Sequence, residues 1–244
     1  MLATMTDKNK KNQRTILACF PHADDEMSVL GTLLNHLSQG DRVVLSWATR
    51  GEMTSLFGNK PMDEIVVERK RHTDEVKRVI GCEIRQLSFA DAHIGRSQSE
   101  ALELAKLIAD VRPDAIITWN FLRGHPDHRN LGQLLQDAVT YARLPRMVDP
   151  LPAHRPVQLG FYTYFDEFSP YPVVHVDITR HIKKIEQVME LYAKVYGWDG
   201  AVENLRARRE KIGGECGVKY AEKFNVMAGP QAVVDSLIPA TEDG

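Results

Sequence analysis

The chain has 244 residues, of which 43% are hydrophobic and 26% charged, and its formal net charge is −2. This composition is typical of a globular protein with one full-sized core, and the near-neutral charge excludes an extended basic surface for nucleic acid. No apolar run approaches the roughly 20 residues that a transmembrane helix needs. We therefore expect a single domain over 1–244, with no nucleic-acid partner and no membrane span.

The cysteines and the two ends of the chain bear on its location. Cys19, Cys82 and Cys216 lie far apart and form no CxxC pair, which favours reduced, buried thiols over a disulfide framework or a thiolate zinc site. The polar and basic segment 1–14 lacks the apolar region of a secretory signal. We expect a cytoplasmic protein with loose tails at 1–14 and about 238–244.

Buried-strand patterns alternate with amphipathic-helix patterns in the first half of the chain. The predicted strands are 15–20, 42–49, 83–89 and 115–119, and the predicted helices are 26–39, 62–80, 98–111 and about 129–141. Beyond a proline-rich loop at 144–156, the patterns predict strands at 157–165 and 172–177 and helices at 179–196 and about 201–212. This alternation predicts a doubly wound, mainly parallel α/β sheet of core order 3-2-1-4, with a C-terminal strand and helix extension.

Two clusters of histidine and aspartate follow predicted strands. The segment "PHADDE" (21–26) comes directly after the first strand, and "HPDH" (125–128) comes shortly after the fourth. In a sheet of this order, ligands bind beyond the carboxyl ends of the first and fourth strands, where the strand order reverses. Adjacent acids repel one another unless a cation or a proton lies among them. We therefore expect both clusters to face one site.

The residue types in these clusters are those of a metal site. Three neutral histidine or carboxylate ligands with an open position form a catalytic zinc site, and His22, Asp25 and His128 would supply such a set. Asp24 would then be free to act as a base, and His125 as a second proton-transfer group. Each cluster also has a structural interpretation, as a helix cap or a proline turn. Their convergence at one switch point favours the metal site.

Both motifs resemble those of the PIG-L / LmbE-like family of zinc-dependent N-acetylglucosaminide de-N-acetylases. The first motif of that family is usually AHPDDE, here "PHADDE", and the second, HPDH, is intact. Further agreement over about 15–225 includes "ATRGE" (48–52), "VRPDAIIT" (111–118), "VDIT" (176–179) and "YAEKF" (220–224). The resemblance implies a Rossmann-like fold and hydrolysis of an N-acyl group, usually an acetyl group on a glucosamine unit.

The resemblance also implies a role for each residue of the motifs. It implies one Zn²⁺ per chain, held by three ligands: His22, Asp25 and His128. Asp24 is then the general base that takes the proton of the zinc-bound water as this water attacks the amide. His125 assists the tetrahedral intermediate or the leaving group, and Asp127 orients it. Either Asp24 or His125 protonates the leaving amine.

Three further residues are implied to bind the substrate. The family places a sugar-binding arginine on the helix before the third strand and an aspartate after that strand, which correspond to Arg69 and Asp91. Arg123 stands where some members carry a tyrosine thought to stabilise the oxyanion, and an arginine could do the same or bind an acidic substrate group. The chain departs from the family in exchanging Pro and Ala around His22 and in carrying His72 where glutamate is common.

Two other functional classes stay open. A two-metal phosphoesterase also uses aspartate and histidine at strand ends, and one metal per chain would argue against it. A catalytically inactive sugar- or metal-binding protein is the other alternative, although every catalytic position is filled. The expected partner is a small amino-sugar conjugate, and the resemblance implies a homo-oligomer, either a trimer or a hexamer.

Two charged features lie outside the predicted ligand set. Glu26 is expected to open the first helix, where its carboxylate meets the positive end of the helix dipole. The basic segment "ARREK" (207–211) could touch an anionic substrate, but a solvated helix face is favoured.

Overall fold

The computed structural model describes residues 13–122, 124–155, 158–162, 171–227 and 233–234. The strands are β1 (Thr15–Phe20), β2 (Arg42–Thr49), β3 (Glu83–Phe89), β4 (Ala115–Trp119), β5 (Gln158–Tyr162), β6 (Val173–Asp177), β7 (Ala221–Val226) and β8 (Val233–Val234). The helices are α1 (Leu30–Ser38), α2 (Met62–Ile80), α3 (Gln98–Val111), α4 (Pro126–Ala142), α5 (Pro145–Val148), α6 (Ile182–Tyr196) and α7 (Ala201–Cys216).

All eight described strands belong to one sheet of order β3-β2-β1-β4-β5-β7-β6-β8. The strands from β3 to β5 in this order pair in parallel, whereas β7 is antiparallel to both of its neighbours, β5 and β6. The predicted α/β class and the parallel 3-2-1-4 core are therefore confirmed. The order reverses between β1 and β4, so the residues that follow these two strands lie on either side of one crevice.

The sheet separates two hydrophobic clusters. Ile16, Ala18 and Phe20 of β1 belong to the cluster that contains side chains of α1, α2 and α6. Leu17 and Cys19 belong to the cluster formed with α3 and α4. Alternate side chains of a strand point to opposite faces, so β1 is buried on both faces and helices cover both sides of the sheet.

Two helices around the site differ from their predicted bounds. The predicted helix over 26–39 is a 3-10 turn at Asp25–Ser28 followed by α1, because Val29 has φ −133° and ψ 8° and interrupts the helical path. Helix α4 begins at Pro126, three residues before the predicted start near 129, because proline is well suited to the first helical position. The HPDH motif is thus both the start of a helix and part of the site.

The C-terminal part contains two strands that the sequence pattern did not predict, β7 and the two-residue β8. β7 includes Glu222 and Lys223, so its sequence does not alternate cleanly between polar and apolar residues. It pairs with β6 from Val173↔Asn225 to Asp177↔Ala221. The antiparallel β7 therefore joins β5 to β6 in the extended sheet.

Two of the three cysteines are buried as predicted, whereas Cys216 is half-buried. Cys19 and Cys82 are buried and free, and burial raises the pKa of each thiol to about 12, which makes both poor nucleophiles near neutral pH.

In the predicted N-terminal tail, Arg14 is held by an ion pair with Asp41 at 2.8 Å. Residues 1–12 and 238–244 lie outside the described residues. No helix in the described part of the chain has the length and apolar character needed to cross a bilayer.

Candidate active site

The crevice between β1 and β4 brings the two predicted clusters together. His22 and Asp25 follow the end of β1, and His128 lies in the first turn of α4, shortly after β4. The potential ligand atoms of these three residues all lie within 4.8 Å of one another. The Trp119 ring at the end of β4 stacks on the His128 imidazole, with ring centroids 4.8 Å apart and an interplanar angle of 3°.

Asp25 lies between the two imidazoles. Its Oδ2 is 3.4 Å from His22 Nδ1, and its Oδ1 is 3.3 Å from His128 Nε2. The backbone N–H of His22 also donates to Asp25 Oδ2 at 2.9 Å, which fixes the carboxylate in the turn after β1. Two imidazoles and one carboxylate form a donor set that can hold a divalent metal ion and leave further coordination positions open.

The electrostatics of these residues favour a cation among them. Burial lowers the pKa of His22, but hydrogen bonds with Asp25 and Asp91 outweigh burial and raise this pKa to about 10. Burial raises the pKa of Asp25, but the interactions with His128 and His22 outweigh burial and lower this pKa below its ordinary value. Burial lowers the pKa of His128 and keeps that imidazole neutral, as a metal ligand must be. A metal ion would therefore replace the proton that the carboxylates attract to His22.

Two more carboxylates contact the other nitrogen of His22. Its Nε2 lies 3.0 Å from Asp91 Oδ1 and 3.3 Å from Asp127 Oδ2. The Asp127 carboxylate is fully buried and also accepts the backbone N–H groups of Ala92 and Ile94, at 2.8 and 3.2 Å. Carboxylates that hold the second nitrogen of a ligand histidine fix the orientation of its ring. The site therefore has a preformed layer of support around His22.

His125 lies at the exposed side of the site. Its ring centroid is 5.4 Å from that of His22, and its Nδ1 accepts the backbone N–H of Asp127 at 3.2 Å. The contact between Asp127 and His125 thus runs through the backbone, whereas the Asp127 carboxylate contacts His22. His22, His125 and Asp127 form a second group whose ligand atoms lie within 4.8 Å of one another. Both groups share His22.

Asp24 differs from its neighbour Asp25 in backbone conformation and in exposure. It has φ 115° and ψ −25°, a conformation that residues with a Cβ rarely adopt. Asp24 is half-buried, whereas Asp25 is buried between the two histidines. Burial and the charge of Asp25 raise the pKa of Asp24 well above its usual value, and the nearby Arg69 opposes this rise. Adjacent carboxylates therefore have different environments.

The structure places two of the three predicted substrate-binding residues. Asp91 is buried, and its carboxylate accepts the backbone N–H of Met53 at 2.9 Å in addition to its contact with His22. Arg69 is 6% exposed, and its Nη1 donates to the Ala23 carbonyl oxygen at 2.9 Å. Arg123 lies outside the described residues. Sugar binding by all three stays a prediction.

Glu26 has a larger role in the structure than helix opening. It lies in the 3-10 turn that precedes α1 rather than at the start of that helix, and its carboxylate is fully buried. Its Oε1 accepts the Tyr192 hydroxyl at 2.6 Å, and its Oε2 accepts Trp47 Nε1 at 3.1 Å and the backbone N–H of Asp24 at 3.0 Å. Tyr192 and Trp47 are far away in sequence, so no local pattern indicated these contacts.

The prediction of a solvated face at "ARREK" is wrong for its central arginine. Arg209 is 2% exposed, and its Nη2 donates to the carbonyl oxygens of Met27 and Ser28 at 2.9 and 2.7 Å. Nη2 also lies 3.6 Å from Oε1 of Glu222, a fully buried residue of β7. Arg209 therefore supports the segment between the site and α1 rather than facing solvent.

Comparison with known proteins extends these observations. The chain is 26% identical over 233 residues to diacetylchitobiose deacetylase from Thermococcus kodakarensis, a match that covers 88% of this chain and 84% of that one. It is 30% identical over 149 residues to a probable N-acetyl-alpha-D-glucosaminyl L-malate deacetylase from Bacillus cereus, covering 57% of this chain and 66% of that one. The solved structure of a conserved protein from Thermus thermophilus is similar in fold, with a TM-score of 0.77 and 27% identity, and the match covers 95% of this chain and 100% of that one.

A family model also matches the part of the chain that builds the site. The model described as GlcNAc-PI de-N-acetylase matches residues 17–139, which are half of the chain. These residues include both histidine and aspartate motifs and, apart from the first two residues of β1, the strands β1 to β4. The chain therefore belongs to the PIG-L family, as its two motifs predicted.

Proposed function

We propose that the protein is a zinc-dependent hydrolase that removes an N-acetyl group from an N-acetylglucosamine-type substrate. The observation that carries this proposal is the convergence of His22, Asp25 and His128 at the switch point, with Asp24 beside them and outside the ligand set. Membership of the PIG-L family and the deacetylase relatives support an enzyme that acts on N-acetyl amides.

The residues of the site fit one zinc ion. Two imidazoles and one carboxylate are donors that Zn²⁺ accepts in catalytic sites, and the contacts of Asp91 and Asp127 with the second nitrogen of His22 are typical of such sites. When bound, zinc supplies Lewis-acid polarisation to an amide carbonyl and to a water molecule. Among the described residues, both possible ligand groups need His22, which argues for one metal ion rather than the two of a phosphoesterase.

The chain's own residues would move the protons. Asp24 would accept the proton of the attacking water, because a positioned carboxylate whose pKa is raised above its usual value binds a proton more readily. His125 is exposed at the same side of the site and would hydrogen-bond to the developing oxyanion or to the leaving nitrogen. Either His125 or the protonated Asp24 would then give the amine the proton that it needs to leave.

The remaining features of the proposal concern the surroundings of this reaction. Arg69, Asp91 and Arg123 are proposed to contact the amino sugar, with Arg123 as the residue that would stabilise the oxyanion or bind an acidic group of the substrate. We also propose a single-domain, cytoplasmic protein that forms a homo-oligomer, either a trimer or a hexamer. Sedimentation at micromolar concentration tests the assembly, and a monomer would contradict it.

The decisive test separates the two neighbouring aspartates. Asp24→Asn should keep zinc and the fold but lower turnover about 10²- to 10⁴-fold, the contribution of a positioned acid–base group. Asp25→Asn should instead weaken zinc binding, and added zinc should restore part of its activity. Metal content and the initial rate of acetate release from N-acetylated glucosamine conjugates, measured across a zinc titration, distinguish these results.

Each failure of this test has a defined meaning. Loss of zinc in Asp24→Asn with a fully loaded Asp25→Asn would reverse the two roles. An unchanged rate in both variants would place the active site elsewhere. Two tightly bound metal ions per chain and hydrolysis of phosphate esters instead of amides would favour the phosphoesterase.

A further inference from the structure

The peptide unit between Ala23 and Asp24 is held at both of its polar atoms by buried, charged side chains. The Ala23 carbonyl oxygen accepts a hydrogen bond from Arg69 Nη1 at 2.9 Å. The Asp24 N–H donates to Glu26 Oε2 at 3.0 Å. A positive group therefore holds the carbonyl end and a negative group holds the N–H end. Rotation of this peptide plane would break both hydrogen bonds and leave two buried charged groups with fewer partners.

The turn that contains this peptide gives Asp24 and Asp25 different surroundings. Asp24 has φ 115°, which a residue with a Cβ adopts only when surrounding contacts hold it there. This turn leaves the Asp25 carboxylate between His22 and His128 and leaves Asp24 half-exposed. The unusual conformation thus separates one carboxylate from the ligand set although the two residues are adjacent in sequence.

Glu26 is itself rigidly held. Its other oxygen accepts the Tyr192 hydroxyl at 2.6 Å, and Trp47 Nε1 shares Oε2 with the Asp24 N–H. Trp47 belongs to β2 and Tyr192 to α6, so the carboxylate is attached to two separate elements of the fold. A fully buried carboxylate with three donors from different elements has little freedom to change its position.

We propose that Glu26 is a positioning residue that, together with Arg69, clamps the Ala23–Asp24 peptide and so aims the Asp24 carboxylate away from the metal ligands. The consequence for turnover rests on the proposed deacetylase function, whereas the clamp is a property of the folded chain. The clamp can therefore be tested without any substrate.

Hydrogen exchange of the Asp24 amide tests the clamp directly. In ¹⁵N-labelled protein, its exchange rate is measured relative to that of Leu17 in β1, whose own exchange reports global unfolding. We expect this ratio to rise at least tenfold in Glu26→Leu, which lacks an acceptor, and to stay near the wild-type value in Glu26→Gln, whose amide oxygen can still accept. Glu26→Asp, which withdraws the acceptor by one methylene, gives the same measurement if Glu26→Leu does not fold.

A second buried glutamate provides the matched control. Glu222 is also fully buried and accepts backbone N–H groups, but those of Gly31 and Thr32. Glu222→Leu should lower global stability, which speeds the exchange of Leu17, without raising the exchange ratio of Asp24 to Leu17. An unprotected Asp24 amide in the wild type, or an equal rise of the ratio in Glu222→Leu, would overturn the clamp.

Zinc affinity and turnover then test what the clamp does. Glu26→Leu should lower kcat about 100-fold, the order expected for a small misplacement of a catalytic group, while zinc affinity changes less than threefold. Glu26→Gln should recover most of kcat. If zinc affinity and kcat fell together in Glu26→Leu, Glu26 would stabilise the whole turn, and the proposal that it acts by positioning Asp24 would be wrong. If the wild-type protein released no acetate, the deacetylase proposal would be wrong. The exchange measurement alone would then show whether the clamp exists.

Discussion

Gly132 lies in α4 where this helix passes the carboxyl end of β4, and its missing side chain has a consequence for the proposed metal site. A Cβ at this position would lie 2.7 Å from the Trp119 carbonyl oxygen and 3.2 Å from Phe121 Cβ. Ordinary contacts of a Cβ begin at 3.4 Å, so Gly132→Ala would push α4 away from β4 by about 0.7 Å, the difference between 2.7 and 3.4 Å. His128 lies four residues earlier on the same helix, so its imidazole would move with it.

Two opposing terms set the size of the effect on stability. Alanine is favoured over glycine inside a helix by about 1 kcal/mol. Overpacking against a rigid neighbour costs about 1–3 kcal/mol, and the neighbour here is backbone. We therefore expect Gly132→Ala to lower the free energy of unfolding by up to about 2 kcal/mol. Zinc affinity should fall about tenfold or more, because metal–ligand distances tolerate changes of only about 0.2 Å.

Urea unfolding and a competitive zinc titration measure the two effects. Gly214 in α7 provides the matched control, because it is exposed and a Cβ there would meet nothing within 4 Å. Gly214→Ala should raise the free energy of unfolding by up to about 1 kcal/mol and leave zinc affinity unchanged. A Gly132→Ala protein that is more stable than wild type and binds zinc equally well would refute the reasoning.

Two further predictions concern buried carboxylates. Burial raises the pKa of Asp41, but hydrogen bonds with His36 and Arg14 outweigh burial and lower this pKa to about 2. Asp41→Asn should therefore lower the free energy of unfolding by about 1–3 kcal/mol at pH 7, a deficit that shrinks as the pH falls from the unfolded-state value near 3.8 towards 2. Urea unfolding across this range checks the trend, and a deficit independent of pH would contradict it. Asp127→Ala should weaken zinc binding about 10- to 100-fold, because it removes a carboxylate next to the His22 ring, and a calorimetric titration with unchanged affinity would contradict this.

The parallel half of the fold was predictable because its signals are local. The strand over 42–49 and the helix over 62–80 have the bounds that hydrophobic periodicity and the stop at Gly81 indicated. The convergence of both motifs also followed from local signals, since strand order alone brings the ends of β1 and β4 together. The ligand group His22, Asp25 and His128 needed no knowledge of side-chain packing.

The support of the site was not predictable, because its contacts join residues that are far apart in sequence. Glu26 is 166 residues from Tyr192, and Arg209 is 182 residues from Met27. A charged residue that is buried through such a distant partner has the same local pattern as one that faces water. β7 was not predicted for a related reason. The buried Glu222 breaks the alternation of polar and apolar residues that identifies a half-buried strand.

The contacts that α6, α7 and β7 make around the site bear on the order in which the chain is translated and the site is assembled. All of the predicted metal ligands have been translated once the ribosome reaches α4, but the hydroxyl that holds Glu26 belongs to α6, and the arginine that holds the carbonyls after Glu26 belongs to α7. The glutamate that accepts the first N–H groups of α1 comes later still, in β7. The nascent chain therefore carries its complete ligand set long before it can hold the turn that organises these ligands. Contacts from α6, α7 and β7 must therefore form before the turn after β1 and the start of α1 are held as they are in the folded chain.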